Sequence, residues 1–464
     1  MDGPGGSGKT FLQNLVLAHR RLQGQVALAV ASSVIAATLL AGGTTAHSRF
    51  KIPINGLDDD STCAIQKRSP QAELLQHTSL IFWDEAVMCH RNSVEAVSRT
   101  LQDLRDDDDP RKLLPFGGIV VCFCGDFRQI LPVVKGGTRG QIVSASLKRS
   151  PLWSHGHTIK LTQNMRLERP GLSLQERDAI ASFATNLLRI GEHTGDDGKI
   201  QWDPAHRVAD NSLKALADAV FPNLEHSLPS LEGLQHAAIL AATNVSVSEV
   251  NHHLLGLMPG REQISVSVDY CKDGESDAFP TEFLHSVELA QLPPHLLRLK
   301  FGSPVMLLRN LDPEQGLCNG TRLRVLHFSR TVLRCAILGT QRHGAIVQLP
   351  RMPLPSPSSE DGLEFVRHQF PVKLAFAMTI NKAQGQSLTS VGLLLQPEVF
   401  AHGQLYVALS RVTRVDGISM VVPDTDLART GRLTNVVYDE VLRQVSPSTP
   451  PSCRAMNVVY AEVL

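Results

Sequence analysis

The stretch GPGGSGKT, Gly3 to Thr10, decides how the rest of the chain is read. Gly3, Gly8, Lys9 and Thr10 fit G-x-x-x-x-G-K-[ST], a loop that joins the end of a buried strand to the start of a helix. Gly3, Gly5, Gly6 and Gly8 let backbone N–H groups, with that of Ser7, wrap phosphates, and the following helix turns its positive end toward them. Lys9 suits the outer phosphates and the Thr10 hydroxyl suits Mg²⁺. Only Met1 and Asp2 precede the loop, too few residues for its strand. That strand is an interior one, so its absence leaves its two neighbours with unpaired backbone groups and an apolar slot between them. The expectation is a native protein longer than this chain. The chain alone should then express poorly and bind ATP weakly, and an upstream apolar strand should restore both.

Working outward, Phe11 to about His19 reads as the helix entered from the loop. QVALAVAS (Gln25–Ser32), SLIFWDEA (Ser79–Ala86), GGIVVCFCGD (Gly117–Asp126) and HTIKLTQNMR (His157–Arg166) read as strands, with helical stretches such as Asn92–Leu104 between them. This alternation predicts an α/β fold, a parallel sheet with helices on both faces and ligands beyond the carboxyl ends of the strands. HAAILAATN (His236–Asn244), KLAFAMTI (Lys373–Ile380) and VGLLLQPE (Val391–Glu398) begin a second such region, interrupted at about 301–367 by short β-like runs and a Pro/Ser-rich loop. In the tail, NVVYDEVL (Asn435–Leu442) recurs as NVVYAEVL (Asn457–Leu464) after a Ser/Pro-rich spacer.

Lys+Arg and Asp+Glu number 45 each, so net charge gives no support to nucleic-acid binding and any basic track is local. The eight cysteines form no C-x-x-C pair and read as reduced, buried thiols. No apolar run is long enough to span a membrane. RDDDDPRK (Arg105–Lys112) reads as a solvated loop. The pairs His155/His157 and His252/His253 make poor co-ligands, the first with Gly156 between them, the second facing different ways on a helix.

Two further stretches carry chemistry. IFWDEA ends an apolar strand in Asp84, suited to hold Mg²⁺, and Glu85, suited to orient and deprotonate an attacking water. CGDFRQILPV places Gln129 where an uncharged amide can sense a γ-phosphate.

The order of GPGGSGKT, ASSVIAATLLAGGTTAHSRF, FWDEAVM, PFGGIVVCFCGDFRQILPV, LTQNMR, AMTINKAQGQSL and LYVALSRVT, from Gly3 to about Val422, resembles the Pif-one-like DNA helicases, relatives of RecD within superfamily one. Asn381 and HSRFKIPI look most like the Helitron-associated branch. The resemblance implies two RecA-like domains, 1–167 (with a small strand-splitting insert at about 47–76) and 168–300 with 368–442. It also implies an SH3-like module at 301–367, leaving a tail at 443–464. By position it makes Arg166 a γ-phosphate contact and Arg411 an arginine finger supplied from the second domain. It makes His47, Thr379, Lys382 and Gln384 contacts to single-stranded DNA. The implied activity is an ATP- and Mg²⁺-dependent, 5′→3′ DNA helicase acting on single strands and forks or duplex junctions. It would serve in repair, recombination, telomere maintenance or Helitron transposition, in the nucleus or alternatively the mitochondrion. The rival readings are a truncated transposon relic that binds nucleic acid without ATP turnover, and an RNA-directed helicase. An oligomeric AAA-type ATPase fits poorly, because this chain supplies its own late Arg411.

Overall fold

The computed structural model describes residues 1–443 except 194, 196, 204–205, 209, 272–278, 290, 313–314, 340–341, 357–363 and 424–430. The second copy of the repeated octapeptide and residues 357–362 of the Pro/Ser-rich loop lie outside the described residues.

The loop opens helix α1 (Lys9–Leu22). Strands β1 (Val26–Ala31), β2 (Thr44–Thr45), β3 (Thr78–Asp84) and β4 (Val120–Phe123) form a parallel sheet in the order β2-β1-β3-β4. Its side chains alternate as a doubly covered sheet requires. Ala27, Ala29, Leu80 and Phe82 pack with Leu17 of α1. Leu28, Val30, Ile81 and Trp83 face the other way, onto Val94, Val97 and Leu101 of the helix Arg91–Asp103. Because both faces are apolar, the polar endings of β3 and β4 collect at one edge of the sheet.

The expected strand His157–Arg166 does not form a ladder. It makes one parallel bridge, Lys160 to Asp2, and Asp2 also bridges Gly125. Its neighbour in the sheet is the short segment 1–3. Residues 1–3 supply the last rung of an interior strand: Asp2 N donates to Ile159 O and Gly3 N to Gly125 O, while Leu161 N donates to Asp2 O. Beyond that rung, an apolar slot of about 410 Å³ separates β4 from residues 157–159, lined by Leu80, Phe82, Val121, Phe123, Trp153 and Ile159 among others.

A second parallel sheet runs Ala377–Thr379, Ala237–Ala241, Ser390–Leu394, Ile418–Val421. It repeats the two-sided alternation: Ala238, Leu240, Val391 and Leu393 face one core, Ala237, Ile239, Ala241 and Leu394 the other. Between its strands a five-stranded antiparallel sheet (Pro304–Leu307, Arg322–Phe328, Val332–Leu338, Ile346–Pro350, Val372–Leu374) encloses its own core. Strands before residue 301 join this β region. Val268–Cys271 pairs with Phe365–Gln369, and Gln263–Val266 pairs with Leu296–Leu299. Among the described residues, no helix is long and apolar enough to cross a membrane.

Candidate active site

The loop turns twice through the left-handed region, at Gly6 (φ 88°) and Gly8 (φ 84°), where a side chain is strained. At Gly6 a Cβ would also come within 2.7 Å of Arg166 Nε. The guanidinium of Arg166 therefore lies across the loop, held there because Met165 N donates to Gly6 O at 3.0 Å. Burial lowers the Arg166 pKa, so the charge sits in a poorly solvated place. Lys9, the first residue of α1, folds back and donates from Nζ to Gly3 O and Pro4 O.

One helical turn on, Gln13 is fully buried and donates to Asp84 Oδ1 at 3.1 Å. Sequence reading missed this residue. Its spacing of four from Lys9 was the available signal, since i and i+4 share a helix face. Asp84 ends β3, and Glu85 follows in the left-handed region at φ 50°. The backbone there turns out of the sheet and aims the carboxylate along its edge. Both acids are buried. Burial raises Asp84, opposed by Gln13 and Lys9. Burial, reinforced by the Asp84 carboxylate, raises Glu85 to about 7, while Lys9 and Arg411 pull it down. A carboxyl group that titrates near neutrality is suited to take a proton from water.

The oxygen donors Thr10 and Asp84, the latter a buried carboxylate short of positive charge, fit a hard divalent cation such as Mg²⁺. Gln129 is 4% exposed and its Oε1 has no hydrogen-bond partner, a buried cost that a ligand at the sheet edge would relieve.

The second lobe reaches this edge. Arg411 follows the helix Gln404–Leu409. Its Nε donates to Val407 O, its Nη1 to Ala383 O and Gln386 O, and its Nη2 to Ser410 Oγ. Four of five donors are thus fixed, and the guanidinium is close enough to Glu85 for the two charges to act on each other. Gln384, expected as a DNA contact, is 2% exposed and donates to Glu85 Oε2 at 3.3 Å. Thr379 is buried at the end of its strand, and His47 is exposed on the short helix Ala46–Phe50. Lys382 is half-buried. Beside it lies Lys373, also missed, which burial and the neighbouring ammonium lower to about 8. Two crowded ammonium groups favour an anion between them.

The lobes meet through the loop that carries Gln129. Tyr406 Oη donates to Asp126 Oδ2 at 2.6 Å, and Arg128 bridges Asp126 and Glu192. His402 Nδ1 accepts from Tyr438 N, so its Nε2 carries the proton and donates to Phe127 O at 2.9 Å. Gly403 permits the approach: a Cβ there would lie 2.3 Å from Arg128 O.

Elsewhere, Asp269, His285 and His295 form a cluster with metal-ligand chemistry. Arg367 already binds both carboxylate oxygens of Asp269, however, and supplies the cation.

Comparison with known proteins agrees with this geometry. The family description "PIF1-like helicase" matches residues 1–201, and "DNA helicase Pif1, 2B domain" matches 282–328, inside the β region. The chain is 26% identical over 452 residues to the ATP-dependent DNA helicase PIF1 of Danio rerio, covering 95% of this chain and 61% of that protein. It is 26% identical over 431 residues to the Homo sapiens protein of the same name, covering 90% and 57%. The chain thus spans about three-fifths of the length of these relatives. Bacteroides Pif1 bound to ssDNA superposes with a TM-score of 0.64 at 23% identity, over 92% of this chain and 89% of that one. The Candida albicans Pif1 helicase gives 0.62 at 23% identity, over 95% and 93%. Two family descriptions, relatives along nearly its whole length and a shared fold thus make the chain similar to the PIF1-like helicases.

Proposed function

We propose that the chain is the motor of an ATP-dependent DNA helicase that translocates 5′→3′ on single-stranded DNA and opens forks or duplex junctions. One observation carries the reading. Glu85, a buried carboxyl group poised near neutrality at the end of β3, sits between Lys9 of its own lobe and Arg411 of the other. In this reading Glu85 takes the proton of the attacking water. Lys9, Arg166 and Arg411 meet the negative charge that phosphoryl transfer concentrates on the equatorial oxygens. Gln129 accepts or donates at the γ-phosphate without adding charge. Thr10 and Asp84 hold Mg²⁺, which neutralises phosphate charge when bound. Lys382, with Lys373, His47 and Thr379, tracks the DNA backbone without reading sequence. Gln384 reports to Glu85 from the DNA-facing stretch, so strand binding and chemistry share one side chain. The reading places the motor in nuclear DNA maintenance, in keeping with relatives named ATP-dependent DNA helicase, and Asn381 supports the Helitron-associated branch.

The test is ATPase rate with single-stranded DNA, with RNA and with neither, using Lys9→Ala as the inactive control. DNA stimulation above tenfold supports the reading. Stimulation by RNA alone redirects it to RNA, and ATPase absent under all three conditions supports a nucleic-acid-binding relic.

A further inference from the structure

The octapeptide Asn435–Leu442 straps the two lobes together. Asn435 is 2% exposed, and its Nδ2 donates to Ile190 O and His193 O at 2.7 and 2.8 Å. Tyr438 stacks on His402 at 5.3 Å, lies under the Arg139 guanidinium at 4.7 Å, and joins Val441 in a core with Phe127, Leu131 and Val143. Glu440 pairs with Arg139 at 2.8 Å, and Val441 O accepts from Lys148 Nζ. Asp439 alone faces away. It is exposed, and among the described residues its carboxylate meets only Arg443, at 4.0 Å.

Residues 457–464 repeat this octapeptide with a single change, and the change falls on that position: Asp439 becomes Ala461. Every side chain that fills or clamps the groove is retained, as Asn457, Val458, Val459, Tyr460, Glu462, Val463 and Leu464. We propose that Asn457–Leu464 is a second occupant of the same groove, docking in cis when Asn435–Leu442 leaves it and looping out residues 435–456. Docking onto another molecule is disfavoured in dilute solution, because the 22-residue tether holds the chain's own second copy at a higher effective concentration than a neighbour's. Closing a loop of 22 residues lowers the weight of the exchanged state on the order of a hundredfold. The exchanged state is thus minor in the native chain and becomes dominant once the first copy is damaged more than that.

The experiment compares urea unfolding of the full chain, Tyr438→Ala/Val441→Ala, Tyr460→Ala/Val463→Ala, and all four together. Damage to the first copy should lower the folding constant by on the order of a hundredfold and no further. Damage to the second copy alone should change nothing. All four together should lower it at least tenfold beyond the first pair. Amide hydrogen exchange on the first-copy variant should show protection moved from 435–442 to 457–464. The proposal is overturned if the first-copy variant fails to fold, if its stability is indifferent to Tyr460 and Val463, or if 457–464 exchange freely in it. It is also overturned if the rescue grows with protein concentration, which would place the second copy on a neighbouring molecule.

Discussion

Replacing Glu85 by Gln should stabilise the protein while disabling it, and the stabilisation should depend on pH. The native carboxyl group titrates at about 7 against an ordinary 4.5, chiefly because it is buried and lies beside Asp84. Between those values the native state holds a proton that the unfolded chain releases. Stability therefore falls as pH rises through the window and reaches its floor above 7. At about 1.4 kcal/mol per unit, the ionised form costs the fold roughly 3 kcal/mol. Glutamine has the same shape, carries no charge and can still accept from Gln384. At pH 8 Glu85→Gln should therefore gain up to about 3 kcal/mol, and at pH 4.5 almost nothing. Denaturant midpoints of the two proteins at both pH values, without nucleotide, measure the difference. The same substitution should lower ATP turnover by on the order of a hundredfold or more, and wild-type turnover should rise with pH through about 7. An equal stability difference at both pH values would refute the burial argument. Near wild-type turnover would remove Glu85 from the base role.

Arg411→Ala should retain most ATP affinity and lose on the order of a thousandfold in turnover. Collapse of affinity with surviving turnover would make it a binding residue instead. Tyr406→Phe deletes one hydrogen bond to the buried Asp126 and should cost about 2 kcal/mol in thermal or urea unfolding, with no effect at all contradicting the joint described above. Lys382→Ala should weaken single-stranded DNA about equally for all sequences and reduce the salt slope by about one. A sequence-selective loss in titrations of different oligonucleotides would exclude backbone tracking.

The parallel sheets were legible because their strands are continuous apolar runs ending in polar residues, as in Leu80–Asp84. Asp84 and Glu85 could be read for the same reason. The strand expected at His157–Arg166 failed because a β ladder depends on its partner, and only Asp2 is present to pair. The β region extends back to Gln263 because antiparallel strands pair across long separations that local pattern does not encode. The motif TINKAQGQS marks Gln384 as a DNA contact, yet the approach of two lobes buries it against Glu85. Tyr406 and His402 escaped notice for that same reason: their importance lies in what they meet 280 and 275 residues away, in Asp126 and Phe127. Lys373 escaped notice because its weight comes from burial beside Lys382, nine residues on in the same lobe.

The short run from Asp126 to Gln129 belongs to the first lobe but is gripped by the second at Asp126, Phe127 and Arg128. A turn of four residues cannot move at one end and stay at the other. Gln129 and the grip therefore respond as one body, and under the proposed function nucleotide affinity becomes a function of lobe orientation. Linkage makes the relation reciprocal. A strand that draws the lobes together must tighten nucleotide by the same factor that nucleotide tightens the strand. Severing Tyr406 from Asp126 should shrink both factors equally, even where neither ligand touches the severed bond.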